Sequence, residues 1–254
     1  MTGAADCQET LRTTCVRIDV GAKFQGSGLL IAPHKVLTCA HVVNQSGDIS
    51  VIWEDQEGEL KSSPAEIEQL LEDPGPNPFP KLYQYPDIAI LHVDELMIHP
   101  IARLNAKSKP SHNASVHGAG YSRDLGGPQM DPFSAHVESW VGPVRQLLVK
   151  LRDVQILHGL SGSAVATETD AETFGVLTAT KGEKATLGGY VVPFVMVASS
   201  IAEILEENDQ FHRKKGKSYS DGESDLGIMA TLVSMALPVA LDAIVAKLGV
   251  TSAK

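Results

Sequence analysis

From residue 12 to residue 200 the chain is cut into about a dozen short runs rich in Val, Ile, Leu and Thr, separated by Gly, Pro, Asn, Asp and Ser. Short apolar runs bounded by turn formers read as strands. Their number and even spacing predict an all-β fold, a sandwich or barrels, and exclude a sheet built from alternating strands and helices. Strands are expected near Thr13–Val20, Lys23–Ile31, Val36–Thr38, Ile49–Trp53, Ala65–Leu70, Ile88–Val93, Ala114–Gly120, Ala135–Val141, Leu147–Arg152, Ala164–Thr167, Thr173–Thr180 and Gly189–Val197. Four prolines between Asp73 and Pro80 force an irregular surface loop there. The polar stretch Asn105–Asn113 suits a connection between two halves.

After Val197 the pattern changes. Ser199 and Ser200 offer caps to a helix over 199–207. Residues 208–225 form a polar linker with the run Arg213-Lys214-Lys215-Gly216-Lys217. The apolar stretch Leu226–Leu248 carries Thr231, Ser234, Pro238 and Asp242 along one stripe, so residues 226–254 are expected to form a helical segment that packs on its own domain or on a protein partner rather than a membrane span.

Composition sorts the partners. With 21 Lys and Arg against 31 Asp and Glu, the net charge of −10 argues against nucleic acid. The start Met1-Thr2-Gly3-Ala4-Ala5-Asp6-Cys7 lacks the charged and apolar regions of a secretory signal, which points to the cytoplasm. Cys7, Cys15 and Cys39 are too few to staple the fold and fit buried packing in a reducing compartment.

Three segments can carry chemistry. The first, Gly26-Ser27-Gly28 through Thr38-Cys39-Ala40-His41, passes two apolar strands and ends on a histidine among small residues. The second, Pro86-Asp87-Ile88-Ala89-Ile90-Leu91, sets an acid at the mouth of an apolar strand, where a carboxylate stays ionised only if neighbours donate to it. The third, His158-Gly159-Leu160-Ser161-Gly162-Ser163, places glycines around a serine, allowing a tight turn that presents its hydroxyl. A serine hydroxyl needs a base, and the base needs an orienter; His41 and Asp87 can fill these roles for Ser161. The amides of Gly159 and Ser161 could then stabilise an oxyanion. The other eight histidines show no ligand spacing with Cys or carboxylates, so no metal or other cofactor is expected. Cys39, read as adjacent to His41, is expected to face the opposite side of the strand and pack in the core.

At these residues the chain resembles the trypsin-like serine proteases of the chymotrypsin fold, closest in character to intracellular bacterial members. Thr38-Cys39-Ala40-His41 is similar to the family's T-A-A-H motif, Asp87-Ile88-Ala89-Ile90-Leu91 to D-I-A-L-L, and Gly159-Leu160-Ser161-Gly162-Ser163-Ala164 to G-D-S-G-G-P. The resemblance covers about residues 12 to 207 and implies two six-stranded antiparallel Greek-key barrels. The first would span about 12–108 and the second about 112–198, closed by the helix 199–207, so that 1–207 is the protease domain. It implies catalysis by His41, Asp87 and Ser161, an oxyanion hole at Gly159 and Ser161, and substrate pairing along Thr178, Ala179 and Thr180. The resemblance also implies Gln155 at the base of the specificity pocket, with Thr180 and Gly188 as its walls. With no acid at the base, a small or medium uncharged side chain is expected before the scissile bond.

Leu160 replaces the aspartate that receives the cut N-terminus in digestive members, so that activation switch is absent. The expected function is a serine endopeptidase acting on a protein or peptide by limited, regulatory cleavage. The alternative is a catalytically weak peptide-binding module of the same fold.

Overall fold

The computed structural model describes residues 4–55, 57–73, 75–94, 100–123, 127–168, 171–178 and 185–220, without the side chains of 4, 185–186 and 214–220. The expected apolar segment 226–254 lies outside the described residues, as do Ala179 and Thr180. No helix among the described residues is long and apolar enough to cross a membrane. The chain divides into two compact units, residues 1–208 and 209–254, of which the first holds both barrels.

Twelve strands close into two barrels. The first comprises β1 (Cys15–Val20), β2 (Lys23–Ala32), β3 (Lys35–Thr38), β4 (Ile49–Glu54), β5 (Leu60–Leu71) and β6 (Ile88–Val93). The second comprises β7 (Ser115–Ser122), β8 (Gln129–Val141), β9 (Leu148–Leu157), β10 (Ala164–Thr167), β11 (Thr173–Thr178) and β12 (Ala185–Pro193). Neighbours run β1-β2-β3-β6-β5-β4 in one and β7-β8-β9-β12-β11-β10 in the other, the same order twice. Every pairing between these strands is antiparallel. Closure removes free sheet edges, and inward residues fill each interior. Ile18, Leu29, Leu37, Val51, Ile90 and Leu91 are fully buried in strands of the first barrel. Val116, Val137, Leu151, Val165, Phe174 and Val191 belong to the apolar cluster of the second.

Three elements depart from the expected outline. Helix α1 (Ala4–Thr14) precedes β1, where the first strand was expected to start at Thr13. It buries Cys7 and Leu11, one turn apart on one face, and Gln8 Nε2 donates to Ser134 Oγ of the second barrel at 3.0 Å. Two apolar anchors in eleven residues are too faint a signal for periodicity to register. The last strand ends at Pro193, and Phe194–Val197 form the short helix α3 in place of strand. Finally, helix α4 (Ala202–Ser220) starts three residues after Ser199 and continues well beyond residue 207, so its backbone is helical through 208–220, the region expected to be linker. Asn208, placed in the linker by its polarity, is buried. Its side chain accepts from Leu104 N at 3.0 Å and donates to Ile31 O and Ala102 O at 2.9 and 2.8 Å, tying the closing helix to the segment that leaves the first barrel. A second short helix, α2 (Ala40–Val43), carries His41.

Candidate active site

β3 delivers the chain into α2, with Cys39 as the N-terminal cap residue and His41 on the first turn. Asp87 stands one residue before β6, which pairs with β3, so register alone brings the acid beside the histidine. Asp87 has φ +57°, a left-handed conformation that Asp tolerates better than most side chains. Its carboxylate is 2% exposed as a residue and would be costly to bury unpaired. Three donors meet it: His41 N at 3.0 Å on Oδ1, His41 Nδ1 at 2.7 Å and Thr178 Oγ1 at 2.6 Å on Oδ2. Double attachment of His41, through amide and ring, fixes the imidazole against rotation. With Nδ1–H donating to the carboxylate, Nε2 keeps its lone pair.

Tyr83 lies flat on the His41 ring, with centroids 3.7 Å apart and planes 3° from parallel. Burial and the Asp87 charge both push its phenol above the ordinary tyrosine range. Nothing in the motif pattern singled out Tyr83; its place four residues before Asp87 in an aromatic stretch is the only trace. Cys39 corrects its expectation. It is buried, as expected, yet its Sγ lies within 4.8 Å of ligand atoms of both His41 and Asp87, on the same side as the histidine. Period-two alternation itself sets residues 39 and 41, two apart, on one face, and Cys39 is moreover a helix cap rather than a mid-strand residue. Its thiol donates to Leu177 O at 3.2 Å, and burial, then the neighbouring Asp87 charge, pushes its pKa well above the ordinary thiol value. It therefore holds its proton at neutral pH.

Ser161 sits between β9 and β10 on the second barrel and is 5% exposed. Leu160 N donates to Leu157 O at 3.3 Å across a turn with Gly159 at φ +107°, the signature of a type II turn, which demands glycine in third place. The amides of Gly162 and Ser163 also bind carbonyls, Leu177 O at 2.9 Å and Leu160 O at 3.0 Å. Those of Gly159 and Ser161 donate to no described residue.

The two barrels are stitched here by Ser27, a residue of the Gly-Ser-Gly motif with a part that its sequence did not disclose. Ser27 N donates to Ser161 O at 2.8 Å; its hydroxyl donates to Gly159 O at 2.8 Å and accepts from Tyr121 N at 2.7 Å. A methyl on Gly26 would stand 2.9 Å from Ser161 O and 2.7 Å from Val42 Cγ2, so the serine turn and the helix bearing His41 both close on this one glycine. The structure thus brings His41, Asp87 and Thr178 into direct contact, and sets the Ser161 turn against the same corner of the first barrel.

The remaining expected site residues divide. Thr178 is buried and spends its hydroxyl on Asp87. Gln155 is exposed and pairs with Gly188 across a bulge between β9 and β12; both line a surface cavity of about 490 Å³ that also contains Glu138, Lys150 and the exposed Leu187.

Comparison with known proteins agrees with the two-barrel fold. Residues 26–176 match the family model described as a trypsin-like peptidase domain. No curated protein matches the chain. Among solved structures it is similar to an inactive form of Rv3671c from M. tuberculosis, with 22% identity over 80% of this chain and 94% of that one and a TM-score of 0.57. It is also similar to a serine endoprotease from Yersinia pestis, with 20% identity over 82% of this chain and 68% of that one and a TM-score of 0.57. The protease domain of MamO from Magnetospirillum magneticum gives 16% identity, 76% and 96% coverage and a TM-score of 0.52. At such identities these likenesses speak for the fold, while the family match covers more than half of the chain. The chain belongs to the trypsin-like peptidase family and is, by that membership, a serine endopeptidase.

Proposed function

We propose that the chain hydrolyses peptide bonds of a protein or peptide substrate through an acyl-enzyme on Ser161, with His41 as base and Asp87 as its orienter. The observation that carries this reading is the doubly anchored His41–Asp87 pair, whose ring bond is 2.7 Å long. His41 Nε2 takes the Ser161 proton as Oγ attacks the scissile carbonyl carbon. The carbonyl oxygen, now anionic, is met by the amides of Gly159 and Ser161, each donor contributing about 2.7–4 kcal/mol in such sites. His41 returns the proton to the leaving amine, and water repeats the cycle on the ester. Asp87 holds the ring in place and stabilises the imidazolium as it forms. No metal or organic cofactor takes part in this chemistry.

The substrate strand is proposed to pair with the main chain at Thr178–Thr180, leaving the Thr178 hydroxyl on Asp87. Gln155 and Gly188 are proposed to border the pocket for the residue before the scissile bond, which favours a small or medium uncharged side chain. A peptide-library cleavage profile dominated by Arg and Lys would overturn that preference. We further infer limited cleavage of a partner in the cytoplasm of a bacterium, a reading supported by three buried cysteines that form no disulfide.

A fluorophosphonate probe tests the central assignment. The full chain should be labelled on Ser161, and Ser161→Ala should abolish labelling and lower turnover on the order of 10⁶-fold. Equal labelling of both proteins would refute the nucleophile, and no labelling of either would favour a peptide-binding module.

A further inference from the structure

We propose that Cys39, His41 and Asp87 form an inhibitory binding site for a zinc ion, built into the proton-relay pair itself. One thiol, one imidazole nitrogen and one carboxylate oxygen, from the end of β3, from α2 and from the residue before β6, lie within 4.8 Å of one another. Tetrahedral zinc holds ligand atoms about 3.5 Å apart, given bond lengths of about 2.0–2.3 Å, so a shift of about 1 Å in these side chains suffices. A Cys, His and carboxylate set has the mixed soft and borderline character that favours zinc over magnesium or calcium. Three protein ligands are the number found in zinc sites with an open position.

The sequence supports a purpose for the thiol beyond packing. Where the related motif reads T-A-A-H, a methyl group fills this position, so the fold does not need sulfur there. In this chain the sulfur points to the same side as His41 and Asp87.

Inhibition follows from the imidazole's two nitrogens. In the working state Nδ1–H donates to Asp87 Oδ2 at 2.7 Å and Nε2 keeps a lone pair. Zinc on Nδ1 takes the place of that proton, which moves by way of solvent to Nε2, while the Cys39 thiol proton passes to bulk water. The metal-bound neutral imidazole then carries its remaining proton on Nε2, which has no lone pair left to accept one from Ser161. Binding itself depends only on the three ligands, whereas the inhibition rests on the role proposed above for His41.

Two measurements on the full chain separate these. Cobalt(II), used as the spectroscopic probe, should produce thiolate-to-cobalt absorption in the near ultraviolet, and Cys39→Ala should remove it. Zinc chloride should block peptide cleavage reversibly on addition of a chelator. Cys39→Ala and Cys39→Ser, which keeps a donor toward Leu177 O, should retain basal cleavage and need on the order of a hundredfold more zinc for half inhibition. Absence of the cobalt band in the wild-type chain, or equal zinc sensitivity of wild type and both variants, would overturn the site. A cobalt band that depends on Cys39 in a chain that cleaves nothing would uphold the site and discard the protease mechanism.

Discussion

At the residue scale, the behaviour of Asp87 follows from its three donors. Removing one leaves a buried carboxylate short of a partner, and a hydrogen bond to a charged group is worth about 1.5–3 kcal/mol. Thr178→Val should therefore lower kcat about 10- to 100-fold with a smaller change in KM, while Thr178→Ser restores most of it; equal kinetics in all three proteins would show that the hydroxyl has no part in holding Asp87. Tyr83 acts on the other partner. Its ring covers one face of His41, whose side chain is only 12% exposed, and aromatic stacking contributes about 0.5–1.5 kcal/mol. Tyr83→Ala should reduce kcat up to about tenfold by freeing the imidazole, and Tyr83→Phe should leave it near wild type.

At the scale of elements, β2 is the strand that aligns the barrels. Ser27→Ala strands Tyr121 N and Gly159 O in a buried place, at about 1–3 kcal/mol for each unmet group. Thermal melting should show that loss, and cleavage should fall further than stability alone accounts for, because Gly159 belongs to the turn proposed as the oxyanion hole. Gly162 is the more severe case: at φ +89° a Cβ would stand 1.9 Å from Ser27 O and 2.6 Å from Thr38 Oγ1. Gly162→Ala should drive β2 and the Ser161 turn apart and leave little folded, active protein; a well-folded and active variant would contradict the close approach. The motifs Gly-Ser-Gly and Gly-Leu-Ser-Gly are thus two sides of one contact, although far apart in sequence.

At the scale of the whole molecule, the interior holds several groups that resist ionisation. Burial pushes the Cys15 thiol from 9.0 up to about 12 and the Tyr85 phenol from 10.0 up to about 12, and raises Tyr121 further still. These acids are neutral when protonated, so the folded state binds more protons than the unfolded chain between the two sets of values. Stability should be unaffected by them below about pH 9 and fall steadily from there to about pH 12. Melting temperatures across that range should show the decline, and Tyr85→Phe should flatten it above pH 10, the ordinary tyrosine value.

The strands, the turns between them and the three reactive segments were legible because each is a local property: alternation, β-branched content and glycine placement register within ten residues. Local reading also explains the misses. Helix α1 shows too few apolar positions to declare itself, Asn208 looks like a solvated residue until its three partners are in place, and Cys39 was assigned to the wrong side because it was counted as adjacent to His41 when it stands two residues away. The repeated strand order of the barrels left no trace as a sequence repeat, since closure depends on which strands neighbour each other and not on which side chains they share. The sequence by itself determined the all-β class, the chemical identities of the candidate triad and the family to which they point. Only the tertiary structure decided that Thr178 completes the shell of Asp87, that Tyr83 covers His41, that Ser27 clasps the serine turn and that a thiol stands beside the relay. Those facts are distances between remote segments, and such distances exist only once the barrels have closed and docked.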